Sequence, residues 1–93
     1  MIIGVLTVEL SIDQAFSLKD KRSVLTRVCE KVRQKFNVAI SEVEENDVWN
    51  RAVLGVVTVA NQKTFVNRVL SKVIEFMQQS RDCVVEDFTT EFL

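Results

Sequence analysis

The run Ser17-Leu18-Lys19-Asp20-Lys21-Arg22 puts three cations into the first turn and a half of a helix whose pattern continues downstream. Helix N-termini already carry unpaired N–H groups and a partial positive charge, so Lys19, Lys21 and Arg22 add to that potential and an anion would relieve it. The chemistry this predicts is binding of phosphate or another anion, with Arg51 as a fourth candidate cation. The chain has no histidine, the side chain that most often serves as general base or metal ligand near neutral pH. A nucleophilic triad therefore lacks its usual base, and zinc would have only Cys29, Cys83 and carboxylates to draw on. The expectation is a protein that is not an enzyme and carries no cofactor or metal. A hydrolase using Arg51 with a backbone anion nest, as in acylphosphatase-like folds, is the enzymatic alternative.

Six elements position these residues. Ile2 to Ile12 alternates as a strand, with Ile2, Gly4, Leu6, Val8, Leu10 and Ile12 on one face. Ser17 and Asp20 have capping-box spacing, and Leu18, Leu25, Cys29, Val32 and Phe36 follow within about 40° of one line on a helix, which Asn37 can stop in a left-handed conformation. Val38 to Val43 is a second strand. Glu44 to Asp47 is a polar turn, and Trp49 precedes a third strand, Arg51 to Ala60, apolar in both registers. Asn61 can cap a second helix whose buried line is Val66, Val69, Leu70, Val73 and Met77, flanked by Phe65 and Phe76. Ser80 to Asp82 breaks it, and Cys83 to Leu93 is a last strand. The order β-α-β-β-α-β predicts a single α+β domain over residues 1–93: a ferredoxin-like four-stranded antiparallel sheet with two helices on one face.

Such a sheet leaves its other face open. Ile3 and Val5 point there, with either Val53, Val57 and Val59 or Leu54 and Val56 from the third strand, unless Phe88 and Phe92 shade them. An apolar patch of this kind predicts self-association, a dimer through the open face involving Ile3, Val5 and Val57. The composition is that of a soluble globule, with 47% hydrophobic and 27% charged residues, and no apolar run approaches the ~20 residues of a membrane span. The cytoplasm is expected, with no membrane partner and with both cysteines as reduced, inert thiols.

The net charge of −1 hides a polarised chain. Residues 17–35 hold seven cations against two acids, and the rest holds five cations against eleven acids. A basic helix can simply be a solvated face, or it can meet RNA phosphate. RNA-binding domains of this fold stack bases on aromatic residues of the central strands. The first strand has no aromatic residue and the third has only Trp49 at its start, so stacking on the sheet is not expected. Trp49 reads as a plug at the end of the core or as a binding platform. Glu42, Glu44, Glu45 and Asp47 read as a solvated hairpin tip.

These residues also resemble the YlxP-like family of small bacterial proteins, a domain of unknown function. The signature matches at Ser17 to Arg22, at Phe36-Asn37-Val38, at Glu42-Val43, and at Trp49, Arg51-Ala52 and Leu54-Gly55. The resemblance implies a ferredoxin-like fold, a cytoplasmic bacterial protein and no established activity. The family's genes often lie beside translation genes, which implies RNA or the ribosome as a partner by association. The alternative is a self-associating small-molecule regulatory or protein-interaction module.

Overall fold

In a computed structural model describing all 93 residues, the elements are β1 (Ile2–Ser11), α1 (Leu18–Lys35), β2 (Ala39–Glu44), β3 (Arg51–Ala60), α2 (Lys63–Gln78) and β4 (Val84–Phe92). The sheet order is β2-β3-β1-β4, every neighbour antiparallel. This is the ferredoxin-like α+β fold. Leu6, Val8, Leu10, Ile12, Leu54 and Val56 join the buried rows of α1 and α2 in one apolar cluster, so both helices cover the same face. No helix is long and apolar enough to cross a membrane.

The buried stripe of α1 is Lys21, Val24, Leu25, Val28, Cys29 and Val32, rotated from the line through Leu18 and Phe36 that the sequence suggests. The spacing 21, 24/25, 28, 32 is a standard core-facing stripe whose first member is a lysine. Helix α1 stops at Phe36, which turns extended at φ −130° and ψ 146°. Glu45 alone among non-glycine residues has positive φ, so the expected left-handed stop at Asn37 is not how the helix ends. Gln62 rather than Asn61 precedes α2, with no side-chain cap. In α2 the buried residues are Val66, Leu70, Val73, Ile74 and Met77, while Val69 sits half-exposed at the rim.

Helix α2 lies close on β1. A side chain at Gly4 would run into Val66 Cγ1 and into Leu70 Cδ1, so the absent Cβ sets how near helix and strand can pack. Strand β3 outruns β2: their pairing starts at Ala39 with Val57, and Thr58 to Ala60 have no strand neighbour on that side. Asn37 closes part of this notch, its carbonyl accepting from Thr58 Oγ1 at 3.0 Å.

Register decides the open face. Ile3 pairs with Val59, Val5 with Val57, Glu9 with Val53 and Ser11 with Arg51, so these residues share the side away from the helices. Val57 and Val59 are exposed there, and Ile3 and Val5 are half-buried. Phe92 does not shade this patch. It packs on the helix side beside Gly4, under Lys63 Nζ at 4.6 Å from its ring centre.

Candidate anion and base-stacking site

The start of α1 is built as its sequence indicates. Ser17 is extended, its Oγ accepts from Asp20 N at 3.1 Å, and Asp20 Oδ2 accepts from Phe16 N at 3.1 Å. The cap satisfies one free N–H, and the carboxylate supplies negative charge in the first turn.

Lys21 corrects the expected anion site. Its side chain is 1% exposed, and its ammonium donates to Glu45 O at 2.5 Å and Val48 O at 2.6 Å while lying 2.6 Å from Glu42 Oε2. Two of the ammonium's three protons go to these carbonyls and its charge is paired with Glu42, so the buried Lys21 is not offered to a ligand. Glu42 Oε2 is itself buried, with the ammonium as ion partner but no well-angled hydrogen bond. Glu42 thus serves α1 and is not part of a solvated tip. The stripe spacing was the sequence signal for this burial, since Lys21 falls in register with Val24, Val28 and Val32.

By gripping the carbonyls on either side of the turn, Lys21 fixes the residue that follows. Trp49 stacks on Phe16, with ring centres 6.4 Å apart and planes at 29°. Phe16 is 78% exposed and Trp49 44%, so Trp49 is not a plug closing the core. Phe16 was missed from sequence. A hydrophobic residue just before a cap usually packs on one a turn into the helix, but that residue is Lys21, turned toward the hairpin. Phe16 is thereby left for Trp49.

Lys19 and Arg22 are exposed, and neither has a carboxylate within 4.0 Å. Arg22 emerges at the edge between helix and sheet, in a shallow cleft floored by Cys29 and shared with Arg33 and Glu42. Arg33 Nη2 donates to Ile40 O at 3.0 Å, tying α1 to β2. Farther along, Arg27 and Lys31 both approach Asp82 at 3.6 Å, exposed pairs of little energetic weight. Arg51 does not join this group. It starts β3 in the row facing away from the helices, on the opposite side of the sheet from Lys19 and Arg22. Both cysteines are free and buried, and burial pushes both thiols above their ordinary pKa. Next to Cys29, Arg33 opposes that rise and Glu42 adds to it.

Fold and site together define the class: a small ferredoxin-like α+β domain that presents a cationic helix start beside an exposed aromatic pair. Residues 3–90 match the family described as "Protein of unknown function (DUF503)". The chain belongs to that family. It is 39% identical over 75 residues to "Uncharacterized protein YlxP" of Bacillus subtilis (strain 168), covering 81% of this chain and 82% of that protein. Among solved structures it is similar to LarC2, the C-terminal domain of a cyclometallase involved in the synthesis of the NPN cofactor of lactate racemase. That match has a TM-score of 0.47 at 15% identity, and covers 100% of this chain and 56% of the other.

Proposed function

We propose that this domain is a non-enzymatic binder of single-stranded RNA, engaging it at the start of α1. The observation that carries the reading is the exposed Phe16–Trp49 stack at the start of the helix whose first turn and a half carries Lys19 and Arg22. Aromatic faces take up unstacked bases, and neighbouring cations take the phosphates that link them. Lys21 contributes by position, keeping Trp49 against Phe16. In the same proposal two copies pair through the apolar end of the open face, at Ile3, Val5 and Val57. Glu9, Glu44 and Asp87 lie toward the other end of that face, and at this end Glu91, paired with Val5, borders the patch.

The test is fluorescence anisotropy of a labelled eight-nucleotide oligouridylate, repeated at several salt concentrations. Trp49 is the only tryptophan, so quenching of its emission reports stacking directly. Phe16→Ala with Trp49→Ala should weaken binding about tenfold or more. Lys19→Glu with Arg22→Glu should weaken it and flatten the salt dependence by about 1.4 in log–log slope, two phosphate contacts' worth on a single strand. No binding at low salt, or binding that both double variants retain in full, refutes the reading.

A further inference from the structure

At the far end of α1, about 24 Å from Lys19 by helix rise, a second surface combines cations with exposed aromatic and aliphatic groups. The notch beside Thr58 to Ala60 opens into a cleft of about 400 Å³ between the end of α1 and the outer row of α2. Phe36, Val69 and Phe65 supply its apolar surface, and Lys35, Arg68 and Lys72 its charge. The α2 members recur at Phe65, Arg68/Val69 and Lys72, the i, i+3/i+4, i+7 spacing of one helix face, so the chain builds this row locally and packing sets Lys35 across from it. None of the three cations has a carboxylate within 4.0 Å. Lys35 Nζ lies 5.0 Å from the Phe76 ring centre, and Phe76 meets Phe36 edge-on at 5.9 Å, which holds the α1 side of the cleft in place. Phe65 is 49% exposed at the mouth.

We propose that this cleft binds one nucleotide unit, its base against Phe65 and Val69 and its phosphate among Lys35, Arg68 and Lys72. Three cations line the cleft and no acid does, a lining that selects an anion; Glu75 lies in the adjoining cavity with Lys35 and Lys72. An exposed ring beside them selects a planar group within a few ångströms of that anion, and the volume lies in the range of small-ligand sites. A simple phosphate uses only half of this surface, and an apolar ligand leaves the charges repelling one another. The nucleotide can be a free mononucleotide or one residue of a single strand, because the recognised chemistry is the same. The site is separate from the start of α1 and does not depend on the reading given above for it.

The experiment is an amide chemical-shift titration of the full chain with AMP, with inorganic phosphate, and with the same eight-nucleotide oligouridylate. Saturable shifts are expected at residues 35–37, 58–59 and 65–72, from AMP if the ligand is free and from the oligonucleotide alone if it is part of a strand. Phosphate should shift the Lys35, Arg68 and Lys72 region at least tenfold more weakly. Phe65→Ala should weaken binding about tenfold, and Arg68→Glu with Lys72→Glu should abolish it. These side chains are exposed, and an unchanged thermal melt confirms that each variant folds. The proposal is overturned if neither nucleotide ligand shifts these residues, if phosphate shifts them as strongly as the nucleotide ligand that binds, or if the charge-reversed variant binds as well as the parent. Oligonucleotide shifts confined to residues 16–22 and 49, with no AMP shifts at the cleft, overturn it too, while leaving the proposed function standing.

Discussion

Lys21→Met tests whether a single buried ammonium holds α1 to the β2–β3 turn. The substitution keeps a chain of similar length but deletes donation to Glu45 O and Val48 O and the ion pair with Glu42. Hydrogen bonds to a charged donor contribute about 1.5–3 kcal/mol each, and breaking a buried ion pair costs about 3–5 kcal/mol because the remaining charge is stranded. Those figures overlap, since the carbonyls can recover water when the turn lifts, so the net loss should be about 3–5 kcal/mol. For a chain of this size that corresponds to a fall of roughly 12–40 °C in melting temperature. Urea titrations followed by circular dichroism give the stability, and Trp49 emission gives the local consequence. Trp49 should become more solvated at denaturant concentrations where the helices are intact. Adding Glu42→Gln should restore part of the loss, because it removes the stranded carboxylate. A loss below about 1 kcal/mol with unchanged Trp49 emission would show that the ammonium does not hold the turn. Lys21→Glu, the obvious probe of an anion site, would disturb folding at this position and so could not by itself report on binding.

Gly4→Ala places a methyl group against Val66 and Leu70 and should cost about 1–3 kcal/mol by overpacking, read from urea midpoints; Val66→Ala in the same chain should recover part of it. Light scattering should give twice the 10.7 kDa of one chain, and Val57→Glu should return it to one chain that is still folded by circular dichroism, with a melting temperature lowered by the lost association, whereas a parent that runs as a monomer at high concentration removes the pairing. The thiols of Cys29 and Cys83 should react with a disulfide reagent only as fast as the chain unfolds. Burial raises both thiols, so above about pH 8.5, the ordinary thiol value, the unfolded chain releases protons that the folded one keeps. Stability should therefore fall with rising pH from there, more steeply in the parent than in a chain with both cysteines changed to alanine; parallel slopes would contradict this.

The alternation of Ile2 to Ile12, the cap at Ser17 and the helical row Val66, Leu70, Val73, Met77 are local facts, fixed by periods of two and 3.6 residues, and from them the order of elements and the ferredoxin-like sheet follow. Strand β3 is apolar in both registers, so only pairing with β1 could decide that Val53, Val57 and Val59 face outward and that Arg51 lies across the sheet from Lys19 and Arg22. The fate of Lys21 was half legible. Its place in the stripe with Val24, Val28 and Val32 announces burial, but two of its partners are main-chain carbonyls 24 and 27 residues away. A carbonyl oxygen has no residue identity for a sequence to display, and it becomes a partner only when the chain returns to it. The stack of Phe16 on Trp49 and the cleft between Lys35 and α2 arise in the same way. Each joins segments that are ordinary where they stand in the chain, and packing of distant elements gives them a shared surface.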